Sequence, residues 1–586
     1  MPDKLAGYKR AEAALPEQML AWQLFGAGME NFGREGRPSA VPLPAIGPRE
    51  LLLRVDACGL CFSDIKIIRL GGEHPRLRGR NLSRKPVTPG HEAALTVVRV
   101  GQELADRFHM GDRFVVQADI IYRGMGLAFG YALQGALAQY VAVGKEVLEG
   151  DEGCYLLPVR PETGYAEAAL AEPWACVEAS YRAEHRPGFK PDGVLLIVAD
   201  SAAGDAWQLP KEPRPRLALI HDFVPETVRQ QAARLARELH LVTGDLAAVA
   251  QEYAPDGFDD VIALGPVGAK LLERAAACLA HEGVLAMCSA QALPEAVAVD
   301  VGRIHYDGIH LIGTDKPGIA QAYQRPRTGE LARDGSAWFI GAGGPMGQMH
   351  VQRAAQMRHG PKVMVASDID SGRLEHLRER FQPAAERRGA RLICLNPQEL
   401  GREQFEAELT TASDGRGFTD IVLLAPVPPL IEQAAPFLAA DGVFNLFAGL
   451  AQGTLAQLDL TPVVAKGQRF TGTSGSHISD LQLTLGKAES GELSPNGSVA
   501  AMGDLYATKE GLEGVRDGRF PGKVVIYPQV RDLPLTALPD LKDSLPSVHA
   551  KLAEGEIWTR EAEAELLRLR LPAQAPPPSD EAGEPS

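Results

Sequence analysis

The spacing of apolar positions changes along the chain and predicts two kinds of structure. From Met19 onward, short apolar runs such as LLLRV, AALTVVRVG and ALAQYVAV alternate with glycine and proline turns, which is typical of a small β-rich domain. Near Gly164 the spacing becomes helical, and from Asp192 strand-like and helix-like segments alternate. Such alternation builds a parallel sheet covered by helices, so we predict an α/β protein that begins with a β-rich part.

The alternating region contains the same pattern twice. The matches are GFDDVIALGP at 257–266 with GFTDIVLLAP at 417–426, HEGVLAMCSA at 281–290 with ADGVFNLFAG at 440–449, and IHLIGTD with RFTGTS further along. Their glycines are 160, 159 and 159 residues apart. Three matches in register favour tandem duplication of one α/β domain, although two unrelated domains of the same general type would be the alternative.

These patterns divide the chain into six segments. They are an N-terminal extension (1–18), a β-rich domain (19–190), a first α/β copy (191–316, copy one), a second α/β copy (335–475, copy two), a return to the β-rich domain that ends in a helix (476–570), and a tail (571–586). The tail is rich in proline, serine and acidic residues and is predicted to be disordered.

Charge and cysteine content narrow the classes of function. The net charge of -15 argues against a nucleic-acid or membrane partner, since both favour a basic surface. Seven cysteines, an odd number scattered over 586 residues, do not resemble a secreted disulfide framework. The first residues lack the apolar core of a signal peptide, and no run approaches the roughly 20 apolar residues of a membrane span. We therefore expect a cytoplasmic protein.

A glycine-rich turn in copy two predicts a dinucleotide site. SAWFIGAGGPMGQMHVQRAAQM reads as a strand, a turn and a helix, an arrangement in which the backbone comes close to a pyrophosphate and the helix N-terminus faces its charge. The expected cofactor-binding residues of this phosphate cradle are Gly341, Gly343, Gly344, Pro345, Met346 and Gly347. Asp368 follows Gly347 by 21 residues, at the end of the next strand, where a carboxylate favours NAD over NADP.

Copy one lacks the equivalent turn. In LLIVADSAAGDAWQLPKEPRP only Gly204 remains, and prolines interrupt the helix that should follow. Asp222 persists after the second strand. We therefore predict that copy one is degenerate and binds no dinucleotide.

Zinc-binding side chains occur in two short motifs. CGLCFSDIK contains Cys61, and PGHE contains His91 and Glu92. A catalytic zinc needs such donors and one open position. Half a zinc knuckle is the alternative for the CxxC, but no second CxxC exists, so Cys58 is interpreted as a small buried side chain.

The order of CGLCFSDIK, PGHE, AEPWAC and the glycine turn resembles that of the zinc-containing medium-chain alcohol and polyol dehydrogenases. Within them the chain is most similar to the sorbitol dehydrogenase branch and its L-sorbose-1-phosphate reductases. The resemblance covers roughly residues 20–190 and 335–530. It implies a GroES-like β-rich catalytic domain combined with a Rossmann-type, doubly wound parallel sheet, here present as two tandem copies.

The same resemblance implies roles for individual residues. Cys61 and His91 would be zinc ligands, and Glu92 and Glu172 would bind the metal directly or through its water. Asp64 would orient the histidine. Ser63 would start the proton relay, and Lys66 stands at its next position, where many relatives carry His; a lysine near zinc could serve there if its pKa is lowered.

One zinc per chain is implied, because no cysteine lies between Cys61 and Cys154 to form the structural zinc lobe found in many relatives.

The function implied is hydride transfer between NAD(H) and a secondary alcohol or ketone of a polyol, sugar or sugar phosphate. Threonine or simple-alcohol oxidation, and a non-catalytic nucleotide-sensing scaffold, are the alternatives. A basic segment between the ligands could hold a sugar phosphate, or could be a solvated loop; it contains Arg69, Arg76, Arg78, Arg80, Arg84 and Lys85. The two copies could form an intramolecular pseudo-dimer, with a homo-oligomer as the other possibility.

Overall fold

The computed structural model describes residues 4–77, 79–324 and 327–572. Nearly all of the tail for which disorder was predicted lies outside these ranges. Within them, no helix is both long and apolar enough to cross a membrane.

The chain folds into two compact units. Unit 1 comprises residues 1–176 and 475–586, and unit 2 comprises residues 177–474. Each unit has its own sheet and hydrophobic core.

The first part of the chain forms most of unit 1. Its strands are β1 (Gln18–Ala21), β2 (Ser39–Pro42), β3 (Leu51–Gly59), β4 (Glu92–Val100), β5 (Arg113–Val116), β6 (Ile121–Tyr122), β7 (Met125–Gly126), β8 (Tyr140–Val143) and β9 (Leu156–Pro158). Its helices are α1 (Lys4–Lys9), α2 (Phe62–Leu70), α3 (Lys145–Leu148), α4 (Tyr165–Ala169) and α5 (Ala171–Ser180), the last of which continues into unit 2.

Unit 2 alternates strands and helices. Its strands are β10 (Val194–Ala199), β11 (Leu217–Ile220), β12 (Glu238–Leu241), β13 (Phe258–Leu264), β14 (Leu279–Cys288), β15 (Val297–Asp300), β16 (His310–Thr314), β17 (Ser336–Ile340), β18 (Val363–Ser367), β19 (Arg391–Leu395), β20 (Phe418–Leu423), β21 (Leu438–Leu446), β22 (Leu455–Leu458) and β23 (Arg469–Thr471). Its helices are α6 (Glu226–Leu235), α7 (Leu246–Tyr253), α8 (Ala269–Ala277), α9 (Val301–Tyr306), α10 (Pro345–Gln356), α11 (Ser371–Arg387), α12 (Pro397–Leu400), α13 (Arg402–Ala412), α14 (Pro429–Ala434) and α15 (Thr461–Lys466).

The chain then returns to unit 1. The returning strands are β24 (Val499–Gly503), β25 (Lys523–Ile526) and β26 (Thr536–Ala537). The returning helices are α16 (Ile478–Ser490), α17 (Thr508–Arg516), α18 (Leu541–Ser544), α19 (Pro546–His549) and α20 (Arg560–Arg570).

Strand β3 lies near the centre of the main sheet of unit 1. The strand order is β26-β24-β25-β3-β4-β5-β9, and β8 also pairs with β3. Strands β3 and β4 run antiparallel with Gly59 opposite Glu92. This register brings the end of one strand beside the start of the other, although 33 residues separate the two positions in sequence.

Helix α1, in the segment expected to be an N-terminal extension, packs against the rest of unit 1. Leu5 and Tyr8 of α1 are buried, and the Tyr8 hydroxyl donates to Asp56 Oδ1 at 2.6 Å. Apolar residues at these two positions therefore bury one face of a very short helix.

Unit 2 begins earlier than the boundary expected at residue 191. Helix α5 continues to Ser180, and Glu178 near its end accepts two hydrogen bonds of 2.9 Å from Arg353 of α10. Tyr181 also hydrogen-bonds His350 Nδ1 at 2.7 Å. These buried contacts tie the end of the helix to copy two.

The sheet of unit 2 has two halves with identical strand order. Copy one has the order β12-β11-β10-β13-β14-β16, and copy two has the order β19-β18-β17-β20-β21-β23. In each half the first three strands run 3-2-1 and the next three 4-5-6, which is the order of a Rossmann fold. The predicted fold class, with two Rossmann-type copies, is confirmed.

The two halves form one continuous 12-stranded sheet. Strands β16 and β23 meet antiparallel, with Leu311 opposite Phe470. Strands β15 and β22, which occupy equivalent places in the two copies, also pair antiparallel.

Each copy contains a buried aspartate that is held by an arginine from the segment just before that copy. Asp260 in β13 accepts a hydrogen bond of 2.6 Å from Arg186, and Asp420 in β20 accepts one of 2.7 Å from Arg327. Both arginines also donate to the backbone carbonyl that precedes the aspartate, at Asp259 and at Thr419. The duplication therefore preserved side-chain contacts as well as strand order.

Copy one has lost the helix after its first strand. Residues 200–216, all of which are described, contain no helix. Trp207 and Leu209 of this irregular segment are buried in a core cluster with Ile197 of β10. The prolines of this segment predicted the loss of the helix. In its place, the side chains of Trp207 and Leu209 pack against the core.

Candidate functional site

Three of the predicted zinc ligands meet in unit 1. Cys61 is the N-cap of α2, two residues after the end of β3, and His91 directly precedes Glu92, the first residue of β4. One donor atom from each of the three lies within 4.8 Å of the other two. The pairing of β3 with β4 produces this proximity, because it places Gly59 opposite Glu92.

Asp64 supports two of these side chains. Its Oδ2 accepts the amide of Cys61 at 3.0 Å and completes a capping box at the start of α2, while its Oδ1 accepts the amide of Gly90 at 3.1 Å. Oδ1 also lies 3.4 Å from His91 Nδ1, which leaves Nε2 for a metal. Burial disfavours the charged imidazole, but Asp64 outweighs this effect and raises the pKa of His91.

Glu92 is completely buried and divided between two environments. Its Oε1 accepts a hydrogen bond of 2.5 Å from Lys523 Nζ of β25. Its Oε2 has no hydrogen-bond partner among residues 4–77, 79–324 and 327–572. A Cβ atom on Gly59 would lie 2.0 Å from this oxygen, so the glycine keeps the space around it open. A buried carboxylate oxygen without a donor fits a metal ligand.

Lys523 was not identified from the sequence. It is buried, and burial alone would lower its pKa, but Glu92 and Cys61 reverse this effect and raise the pKa. The residue lies 431 positions after Glu92, at the start of a short apolar strand, so no local pattern distinguishes it.

Glu172 lies near this group but is not one of the three clustered donors. It is buried in the first turn of α5. Burial raises its pKa to about 7, with Glu92 adding to the rise and His91 opposing it.

Ser63 and Lys66 lie one turn apart on α2, and both are half-buried. Residues three positions apart lie on the same face of a helix, so the side chains of Ser63 and Lys66 are neighbours on one face of α2. Lys66 influences His74, whose pKa is lowered first by burial and then by neighbouring cations that include Lys66. The centroid of the His74 ring lies 5.3 Å from that of the Tyr131 ring, and the centroid of the Tyr131 ring lies 5.9 Å from that of the His91 ring.

The phosphate cradle of copy two has the predicted strand-turn-helix form. Gly341 follows β17 with a positive φ of 79°, which only glycine adopts readily. Gly344 is the N-cap of α10, and a Cβ atom added there would meet nothing within 4 Å. A Cβ atom on Gly347 would lie 2.6 Å from the carbonyl oxygen of Ala342. The turn is thus close-packed on one side and open at the helix N-terminus, as a pyrophosphate site requires.

Asp368 lies immediately after β18 and beside the cradle. Its Oδ2 accepts the amide of Gly343 at 2.9 Å, and its Oδ1 accepts the amide of Asp370 at 3.1 Å. The side chain is half-exposed, so it can also accept hydrogen bonds from a ligand. Pro345 and Met346 form the first residues of α10.

Comparison with known proteins identifies the family to which the chain belongs. The profile of the alcohol dehydrogenase GroES-like domain matches residues 47–149. Mannitol-1-phosphate 5-dehydrogenase of Aliivibrio fischeri is 30% identical over 550 residues, which cover 90% of this chain and 93% of that protein. L-sorbose 1-phosphate reductase of Klebsiella pneumoniae is 22% identical over 546 residues, which cover 91% and 95% respectively.

Among solved structures, 2R,3R-butanediol dehydrogenase from Bacillus subtilis is 16% identical and aligns with a TM-score of 0.49 over 87% of this chain and 99% of its own. The match of nearly the whole chain to a relative at 30% identity, together with the GroES-like profile, shows the family. The chain belongs to the zinc-containing medium-chain dehydrogenases and is an oxidoreductase with a nicotinamide cofactor.

Proposed function

We propose that the protein transfers a hydride between NAD(H) and a secondary alcohol or ketone of a polyol phosphate or a related sugar phosphate, at a single zinc site in unit 1. The observation that carries this proposal is the meeting of Cys61, His91 and Glu92, with the Oε2 of Glu92 buried and without a hydrogen-bond donor among the described residues. Such a donor set fits a catalytic zinc with one open position.

The residues of unit 1 would divide the work. Cys61 Sγ, His91 Nε2 and Glu92 Oε2 would hold zinc, and Glu172 would accept a hydrogen bond from its water. When bound, zinc supplies Lewis acidity toward the substrate oxygen, and NAD supplies the hydride acceptor. Lys523 neutralises part of the charge of Glu92 and fixes the direction of its carboxylate.

Proton movement is assigned to α2. Ser63 would take the proton of the substrate hydroxyl and pass it toward Lys66, one turn further along the helix. Because both side chains are half-buried, they can connect a buried site to solvent. The relay is supported by their common face on the helix rather than by a hydrogen bond between them.

The cofactor is assigned to copy two, and NAD is favoured over NADP. Asp368 places a negative charge where the two cofactors differ, so it would accept the ribose hydroxyls of NAD and repel the additional phosphate of NADP.

Two arginines of the basic segment support a phosphorylated substrate. Arg76 pairs with Asp119 at 2.5 Å and lies over the ring of Tyr131, the side chain that packs near His91. Arg80 donates to the carbonyl oxygen of Ala132, while its buried Nη1 has no partner in the part of the chain that the structure describes. Arg69, Arg84 and Lys85 are exposed, and Arg78 lies outside the described residues. The names of the two relatives, both acting on sugar phosphates, agree with this substrate class.

We also infer that copy one takes the place of a partner subunit's Rossmann domain. Its sheet joins that of copy two edge to edge at β16 and β23. The pairing edge of copy two is thereby occupied within the chain.

Cys61→Ala tests the zinc site. We expect loss of bound zinc by metal analysis, from about one per chain, and loss of NAD reduction with mannitol 1-phosphate as substrate. Cys154→Ala is the matched control, since Cys154 is a half-buried cysteine of the same unit that belongs to no donor cluster in the described ranges. Full activity in Cys61→Ala would reject the proposed mechanism.

Arg76→Ala tests the substrate class separately. We expect a higher KM for mannitol 1-phosphate and an unchanged KM for mannitol, because only the ester needs a cationic partner. Arg69→Ala, which removes an exposed arginine, should change neither value. Equal efficiency of the wild type on the ester and the free polyol would exclude the phosphate-binding role.

A further inference from the structure

A cavity of about 510 Å³ lies within unit 2 and is lined by both copies. Copy one contributes the end of β16 and the residues after it, including Thr314 and Lys316. Copy two contributes Ala440 and Asp441 of β21 and the segment from Val463 of α15 to Arg469 at the start of β23. This volume lies within the range of roughly 300–1,000 Å³ that is usual for small-molecule sites.

The lining carries more positive than negative charge. The cations in the lining are Lys316, Lys466 and Arg469, and the carboxylates are Asp315 and Asp441. Lys316 pairs with Asp315 at 3.2 Å, whereas Lys466 has no ion pair within 4.0 Å among residues 4–77, 79–324 and 327–572. A local excess of cations contrasts with the net charge of -15 of the whole chain. Such a concentration of lysine and arginine around a concave space favours an anionic ligand.

None of these three cations is repeated at the equivalent position of the other copy. Alignment of IHLIGTD with RFTGTS makes Gly475 the counterpart of Lys316, Asp307 that of Lys466 and His310 that of Arg469. Strand β16 and strand β23 therefore share their backbone geometry but not their charge. The cations are not explained by the duplicated framework, which tolerates a glycine, an acid or a histidine at the same positions.

We propose that this cavity binds a small phosphorylated metabolite. Arg469 is 5% exposed and donates from Nη2 to the carbonyl oxygen of Thr328 at 3.5 Å, whereas the two lysines are exposed. The guanidinium and the two ammonium groups would supply charge-assisted hydrogen bonds to phosphate oxygens. The ligand would bridge β16 of copy one and β23 of copy two across the junction of the sheets. The site is separate from the zinc cluster and from the phosphate cradle, and it gives copy one a binding role without a dinucleotide.

Isothermal titration calorimetry of the full-length protein with inorganic phosphate tests this site. The ionic strength is held constant with KCl. The wild type should bind phosphate. The Lys316→Glu/Lys466→Glu double variant should bind it about tenfold more weakly or worse, because charge-assisted contacts are lost and repulsion is added. Lys270→Glu, which reverses an exposed charge on α8 of copy one, should behave as the wild type.

Two further variants make the result decisive. The Lys316→Gln/Lys466→Gln variant removes the two charges without reversing them and should also bind phosphate more weakly than the wild type. It provides the test if the glutamate double variant fails to fold. Arg76→Ala should leave this binding intact, since it alters the proposed substrate site. The proposal is rejected if the wild type binds no phosphate, if both double variants bind it as the wild type does, or if Arg76→Ala alone abolishes binding. Zinc and NAD are not needed for the measurement, so failure of the proposed oxidoreductase mechanism would leave it interpretable.

Discussion

Copy one and copy two of unit 2 share a framework and differ most in the connection after the first strand. Both have the Rossmann strand order, and both bury an aspartate that is held by an arginine, Asp260 by Arg186 and Asp420 by Arg327. After the first strand, copy two has a glycine turn and α10, whereas copy one has an irregular segment with Trp207 buried. The difference teaches that the sheet and its buried ion pair persist independently of the ligand site that the fold usually carries.

If the framework is shared, the two buried aspartates should be equally important for stability. We expect Asp260→Ala and Asp420→Ala each to lower the free energy of unfolding by about 3–5 kcal/mol, because each leaves a largely buried arginine without its partner. Urea unfolding would measure the loss. Asp315→Ala removes a partly exposed carboxylate and should change stability by less than about 1 kcal/mol. A large effect in one copy only would show that the copies no longer share a framework.

If the difference between the copies is confined to the connection, a side chain in the cradle should affect NAD alone. Gly344→Val should raise the Kd for NAD about 30-fold or more, corresponding to the loss of roughly 2 kcal/mol in contacts between the backbone and pyrophosphate. The change in thermal stability should be small, since a Cβ atom there meets nothing within 4 Å.

Gly268→Val is the matched control in copy one. Gly268 is also a helix N-cap whose added Cβ atom meets nothing within 4 Å. NAD affinity should be unchanged in this variant, and a comparable loss there would mean that copy one also takes part in cofactor binding.

Helix α10, which has no counterpart in copy one, should make unit 2 sensitive to acid. Burial lowers the pKa of His350 to about 3, against an ordinary value near 6.5, so the folded state holds this ring neutral. Below the ordinary value the unfolded state binds the extra proton, and stability falls as the pH falls. Between pH 6.5 and pH 5 the loss should be about 2 kcal/mol.

His350→Gln retains a partner for the Tyr181 hydroxyl but cannot be protonated. Chemical unfolding at pH 6.5 and pH 5 should therefore show a smaller pH dependence in the variant, by about 2 kcal/mol over this interval. Identical pH dependence in the wild type and the variant would contradict the buried neutral state of His350.

The smallest expected effect concerns the acidic residues after the second strand of each copy. Asp368→Asn should raise affinity for NADP about tenfold, because it removes a charge that would repel the extra phosphate while retaining an acceptor for the Gly343 amide. Asp222→Asn, at the matching place in copy one, should alter neither NAD nor NADP affinity. Fluorescence titration with both cofactors would compare the variants, and an unchanged preference in Asp368→Asn would remove the basis for favouring NAD.

The sequence predicted those features that depend on local patterns. The strand-turn-helix pattern and its glycines predicted the phosphate cradle of copy two. The prolines after Gly204 predicted the missing helix of copy one. Repeat spacing predicted the duplicated fold. Each of these signals lies within about 30 residues or in a direct match between the copies, where periodicity and turn chemistry are informative.

Contacts between distant segments could not be predicted. Lys523 reaches Glu92 across 431 residues of sequence from an apolar strand that gives no sign of it. Glu178 and Tyr181 join copy two through Arg353 and His350, which moved the boundary of unit 2 back to Val177. The role of α1 in covering the core also depends on a partner that local sequence does not reveal, since Tyr8 reaches Asp56 in β3.

Because β16 and β23 belong to one polypeptide, the pairing of the two sheet halves does not depend on protein concentration. When two separate molecules join their sheets, the fraction paired falls as the protein concentration falls. Here both sheets belong to one polypeptide, and a covalent connection of this kind acts as an effective concentration in about the millimolar range. The assembled sheet should therefore persist at any cellular abundance of the protein, and every molecule that folds carries both halves in equal number.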